Sequence, residues 1–161
     1  MIVGYTIFSE TGKRRANQDI CRVIEMPKHN RTLMIVCDGM GGHSMGDVAA
    51  ETVCNVICEF WGNNPDVPDS ETKVTEACKV ASDALHARSR VVRPIEMGTT
   101  MVMASVEGNI ITIALCGDSR CYLLRAGLLS RNPGIDSKEQ TIIAVANYLT
   151  RYIKALKTKH L

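Results

Sequence analysis

The chain has no apolar run approaching the roughly 20 residues that a membrane-crossing helix needs. It does not open in the manner of a secretory leader either. In MIVGYTIFSETGKRR the basic cluster follows the apolar stretch, the reverse of leader order. There is no internal repeat and no low-complexity tract. Charge of one sign is not in excess: 19 Lys+Arg face 17 Asp+Glu, a net of +2, which gives no whole-chain basis for binding nucleic acid. The seven cysteines form no Cys-x-x-Cys pair, are odd in number and several sit in apolar runs, so they read as reduced core thiols of a cytoplasmic protein. Cys54 and Cys58 would share a helix face, but no second ligand pair stands at zinc-like spacing. At 161 residues the chain is too short for an α/β barrel of roughly 250 and long enough for one domain with a real core.

What is present is a succession of strand and helix patterns. Residues 2–8 and 19–25 read as strands, and the continuous apolar run 33–37 as a buried one. Residues 38–46, DGMGGHSMG, hold four glycines and form a loop. Apolar residues at helical spacing predict helices over 47–61 and 71–91. Strands follow over 99–106, 110–115 and 120–125, with a hairpin turn at Gly108-Asn109 and a tight turn at Gly117-Asp118-Ser119. Residues 126–137 read as loop and 141–157 as an amphipathic helix, and residues 147–161 hold Arg151, Lys154, Lys157 and Lys159 with no acid. The order is α+β rather than a strict βαβ alternation.

The candidate chemistry sits at strand ends. Asp38 closes a buried strand and opens the glycine loop; it either binds turn amides or stands at the mouth of a site. The loop is not a nucleotide cradle: Ser44 takes the place of the third Gly of G-x-G-x-x-G, and no Gly-Lys-Ser/Thr follows. Asp19 opens a strand and Asp118 lies in a turn between two others. Three carboxylates beside a glycine loop suit a hard cation such as Mg2+ or Mn2+. A nearby arginine matches the geometry of a phosphate. Together these point to phosphoryl chemistry.

These residues carry a family resemblance. Ser9-Glu10-Thr11-Gly12-Lys13-Arg14-Arg15-Ala16-Asn17-Gln18-Asp19, Val36-Cys37-Asp38-Gly39-Met40-Gly41-Gly42-His43, Gly98-Thr99-Thr100 and Gly117-Asp118-Ser119-Arg120 occur in order. The chain resembles the bacterial metal-dependent protein serine/threonine phosphatases of type 2C over residues 1–130. The resemblance implies an antiparallel β-sandwich flanked by helices in αββα layers, here incomplete. It implies a phosphatase-like portion over 1–130, with 131–161 a divergent loop and basic helix of the same domain. It assigns Arg14 to the substrate phosphate, Asp38 to a bridging position between two Mn2+ or Mg2+ ions, and the Gly39 carbonyl to one ion. Gln18 and Asp19 fall at water-mediated or outer ligand positions, and Asp118 at a third, weaker ion. Thr99 and Thr100 support the site. Met40 occupies the place of the histidine that serves animal members as general acid; His43 either donates a proton nearby or caps the loop.

The implied reaction is direct hydrolysis of phosphoserine and phosphothreonine in proteins by metal-activated water, with no serine or cysteine nucleophile. The partners implied are phosphoproteins, with neither nucleic acid nor membrane. The family's later Ser-Asp-Gly and Asp-Asn motifs are absent from these residues. Residues 136–143 faintly resemble the region of the last motif, which would make Glu139 a displaced ligand. Two functions therefore stand side by side: an active phosphatase, and a catalytically impaired relative acting as a binding or regulatory module. An uncovered sheet edge would offer a route to self-association.

Overall fold

Alternation along residues 31–40 sets the frame. Leu33, Ile35 and Cys37 are fully buried on one face, while Val36, Asp38 and Met40 on the other are exposed. The computed structural model describes residues 3–40, 45–92, 97–125, 128–131 and 141–145. Strand β1 (Asp19–Met26) pairs antiparallel with β2 (Arg31–Met40) through a short 3-10 turn at Pro27–His29, closed by Asn30 in the left-handed region at φ 48°. Helices α1 (Gly46–Asn63) and α2 (Glu71–Val92) follow. Then come β3 (Gly98–Thr99), β4 (Met101–Glu107), β5 (Ile110–Cys116), β6 (Tyr122–Arg125), β7 (Leu128–Arg131) and β8 (Thr141–Val145).

The main sheet runs β1-β2-β4-β5-β8, with β3 paired to β2 beyond the end of β4. The pairs are antiparallel except β5 with β8, which is parallel. β6 and β7 form a separate two-stranded antiparallel sheet. The architecture is thus α+β with two sheets, and among the described residues the helical layer is formed by α1 and α2.

Both helices exist because their apolar stripes have a partner. Ala49, Ala50, Val53, Cys54, Ile57 and Trp61 of α1, and Val74, Ala77, Cys78, Ala81 and Leu85 of α2, are buried in one cluster with Leu33, Ile35, Met101 and Met103. Each fully buried Leu or Ile contributes about 1.5–3 kcal/mol. Asp19, Cys21, Val23, Val36 and Asp38 alternate onto the sheet's other face, away from the helices.

The α1–α2 connection is held by buried charges, among them its own Asp69. Arg31 donates to the carbonyls of Pro65 (2.8 Å) and Val67 (3.0 Å) and pairs with Glu107. Lys73 donates to the carbonyls of Asn64 (3.1 Å) and Val67 (2.8 Å) and to Asp69 (3.1 Å), and lies 4.8 Å from the centre of the Trp61 ring. The Trp61 indole also donates to Asp69, at 3.1 Å. The side chains of Arg31 and Lys73 are 1% exposed and that of Asp69 is fully buried. Burial pulls the Lys73 pKa down, against the opposing pull of Asp69. Burial alone would raise the Glu107 pKa; hydrogen bonds from the Asp69 amide and Arg31, with the charges of Arg31 and Lys73, bring it below the usual range.

Three sequence expectations are corrected. Residues 3–8 form no strand. Residues 128–131, expected as loop, form β7. Residues 141–145, expected to begin the amphipathic helix, form β8 instead. The run Ile142-Ile143-Ala144-Val145 is continuous and mostly β-branched, the pattern of a parallel strand covered on both faces. The rest of the expected basic helix, and Glu139, lie outside the described residues.

Candidate active site

The ends of β1 and β2 bring two carboxylates together. In the antiparallel register Asp19 stands directly opposite Asp38, which places both side chains on the face away from the helices. The pairing continues one step further, the Gly39 amide donating to the Gln18 carbonyl at 3.1 Å. The segment leading into β1 is shaped by its own polar groups. Arg14 N–H donates to the Thr11 carbonyl at 3.2 Å around Gly12, whose φ is 58°, and Asp19 N–H donates to the Asn17 side chain at 3.0 Å.

Gly39 and Gly46 explain why this loop needs glycine. A Cβ on Gly39 would lie 2.0 Å from the Gly46 carbonyl oxygen, and one on Gly46 would lie 2.7 Å from Gln18 Oε1. The start of α1 therefore rests directly on the strand end and on the Gln18 side chain. Asp38 is pinned from the other side by residues at the β3–β4 junction. Thr100 N–H donates to the Asp38 carbonyl at 2.8 Å, Asp38 N–H donates to Thr100 Oγ1 at 3.2 Å, and Thr99 Oγ1 donates to the Asp38 carbonyl at 2.9 Å. Thr99 and Thr100 are buried.

The electrostatics identify which charged groups converge. The Asp38 pKa is raised, by partial burial first, then by the charge of Asp19 and a hydrogen bond shared with it, and by the charge of Asp118. Arg14 opposes the rise. Asp19, Asp118 and Arg14 are thus each within electrostatic reach of Asp38. Asp118 arrives on the turn after β5, where Gly117 has φ 95°. The sequence pattern marks these four residues together with Gln18 and Gly39. Ser119, whose hydroxyl bonds that of Thr100, carries no such mark, and Gly46, expected in the loop, begins a helix. No periodicity marks a contact between residues nineteen positions apart. His43, Gly41 and Gly42 lie outside the described residues.

The donor set is one of hard oxygens: two facing carboxylates, a third nearby, and the backbone of Gly39. Among the described residues no group of three His, Cys, Asp or Glu side chains is placed to hold a metal ion. The facing pair Asp19 and Asp38 matches the one or two carboxylates by which an ion such as Mg2+ is commonly held, beside retained waters and a substrate phosphate. Crowded carboxylates with a raised Asp38 pKa are what a divalent cation would relieve. The thiol pair of α1 offers no alternative. Cys54 is hydrogen-bonded to Cys37 and Cys58 within the core, and the bond to Cys37, together with burial, pushes its pKa up to about 12.

Comparison with known proteins agrees with this geometry. The family model for protein phosphatase 2C matches residues 9–141. The serine/threonine protein phosphatase PstP of Mycobacterium tuberculosis is 30% identical over 144 residues, covering 89% of this chain and 27% of its own. The serine/threonine phosphatase stp of Listeria monocytogenes is 36% identical over 121 residues, covering 72% of this chain and 47% of its own. Among solved structures, the catalytic domain of PstP in complex with two manganese ions superposes with a TM-score of 0.60 at 31% identity, over 74% of this chain and 50% of that one. Stp1 from Staphylococcus aureus superposes with a TM-score of 0.69 at 26% identity, over 81% of this chain and 56% of that one. The chain therefore spans about half or less of the length of these curated relatives. With the match extending over residues 9–141, the chain belongs to the protein phosphatase 2C family.

Proposed function

We propose that this chain is a metal-dependent protein phosphatase that hydrolyses phosphoserine and phosphothreonine in proteins. The observation that carries the reading is the direct cross-strand placement of Asp19 opposite Asp38, with Arg14 and Asp118 in electrostatic range. Asp38, Asp19 and the Gly39 carbonyl would hold Mn2+ or Mg2+, with Gln18 orienting a bound water and Asp118 serving a further ion. Bound there, such ions supply an acidified water and positive charge for phosphoryl transfer. Arg14 binds and orients the phosphate through its planar fork. Thr99 and Thr100 fix the backbone of Asp38, so the carboxylate needs little reorganisation during reaction. His43 is the loop's candidate proton donor. Residues 1–130 form the phosphatase-like portion. The segment 131–161 belongs to the same domain, a reading supported by the place of β8 in the main sheet. We place the protein in the cytoplasm, a reading supported by its seven cysteines, none of which is in a disulfide. Self-association through an open sheet edge belongs to the same proposal.

The second reading, an impaired relative acting as a binding or regulatory module, draws on a different observation. The chain matches about half of its relatives' length and carries neither Ser-Asp-Gly nor Asp-Asn. Hydrolysis of p-nitrophenyl phosphate and of a phosphothreonine peptide, with and without Mn2+, separates the two. Metal-dependent turnover that disappears in Asp38→Ala supports the phosphatase; a flat response in both proteins supports the module.

A further inference from the structure

Asp38 lies near the end of β2 and Asp118 follows β5, and β4 runs between those strands. The residue between β3 and β4 is Thr100, and it touches both sides. Its amide and hydroxyl hold the backbone of Asp38 at 2.8 and 3.2 Å. The same hydroxyl bonds the Ser119 hydroxyl, next in sequence to Asp118. Gly117 lets the turn close onto this point, since a Cβ there would lie 2.8 Å from Thr100 Cγ2. Thr100 is 1% exposed and Ser119 is half-buried, so the bond between them is partly shielded from water.

We propose that the Thr100–Ser119 hydroxyl pair is the positioning device that sets the spacing between Asp38 and Asp118. A hydroxyl that accepts the Asp38 N–H still has its own proton to give to Ser119, and each bond polarises the next. Movement of the turn that carries Asp118 is therefore transmitted to the Asp38 backbone, and the reverse. Neither hydroxyl touches the phosphate; both act through the carboxylates they place.

The proposal rests on reading Asp38 and Asp118 as ligand carboxylates, so the test has one arm that needs no metal. Amide hydrogen exchange is measured by NMR on the metal-free full chain, with Ile35 as internal reference, and Mn2+ binding is followed by electron paramagnetic resonance. Thr100→Val should speed exchange at the Asp38 amide by about fivefold to tenfold, the loss of one hydrogen bond. Thr100→Ser should restore the wild-type rate. Ser119→Ala, which removes nothing that touches Asp38, should still speed exchange there by about twofold or more, through the weakened polarised bond. It should also weaken Mn2+ binding. Unchanged exchange at Asp38 in Ser119→Ala overturns the proposal, even if Thr100→Val fails to fold. A wild-type chain that takes up no Mn2+ while the exchange pattern holds refutes the ligand reading and leaves the coupling standing.

Discussion

Replacing Asp38 by Asn should make the metal-free protein more stable while abolishing any metal-dependent activity. Asp38 faces Asp19 across the β1–β2 ladder, and the charge of Asp118 adds to the repulsion. Two unit charges about 5 Å apart repel by about 0.8 kcal/mol in water, and more in a partly desolvated setting. Like charges directly opposite on a sheet cost about 0.2–1 kcal/mol. Arg14 offsets part of this, so the expected gain for Asp38→Asn is about 0.5 kcal/mol, in line with those cross-strand values. The pH dependence gives the sign independently. A carboxyl whose pKa is raised on folding contributes stability below its unfolded pKa, and that contribution is lost as pH rises through the folded value. The wild type should therefore lose stability relative to Asp38→Asn as pH climbs past the ordinary carboxylate range, and the two should converge in acid. Urea unfolding at pH 3.5 and pH 7.5 in low salt, without divalent cations, measures both; the slope of free energy on urea should be the same for the two proteins. Adding Mn2+ should reverse the order at pH 7.5, because only the wild type gains binding free energy. A mutant less stable at pH 7.5, or a difference independent of pH, would refute the crowded-carboxylate account.

The other predictions concern packing, charge and thiols. Gly39→Ala should destabilise by more than about 2 kcal/mol, because its Cβ meets backbone rather than a movable side chain; thermal unfolding within a degree of wild type would contradict this. Lys73→Met should cost about 3 kcal/mol, since it leaves part of a buried charge set uncompensated, a loss readable in chemical denaturation. Glu107 has a depressed pKa, so its contribution to stability is present above the usual carboxylate range and fades as pH falls through the folded value; Glu107→Gln should flatten that acid limb. Burial pushes the Cys78 and Cys116 thiols up to about 12, and they should resist a thiol reagent at pH 7.5 until the chain is unfolded.

Much of the site was legible because its residues sit at places where core packing asks for something else. A carboxylate at the end of an apolar strand, as at Asp38, has no packing role. An aspartate at the start of β1 falls opposite it once the two strands pair, and the short turn fixes that register. The helices were legible to within two residues, because their stripes face one sheet. Other features depend on contacts between distant parts of the chain. Arg31, Asp69, Lys73 and Glu107 are scattered over 77 residues, and none looks buried from its neighbours. The segment after residue 140 misled because apolar spacing over 141–157 fits a helix, whereas sheet pairing with β5 decides the first five residues. The Ser119 contact has no sequence signal at all.

The parallel pairing of β8 has a consequence for how the chain is made. β2 and β4 pair across the two helices, and β8 joins β5 last and in parallel, its partners about thirty residues apart, Ile111 against Thr141. During synthesis β5 is complete well before β8 leaves the ribosome, and its outer edge then offers unpaired amides and carbonyls along an apolar strand. For that interval the half-built sheet is a template for any other extended chain. The order of emergence from the ribosome thus adds a risk of aggregation at that edge, and slow translation between residues 116 and 141 would prolong it.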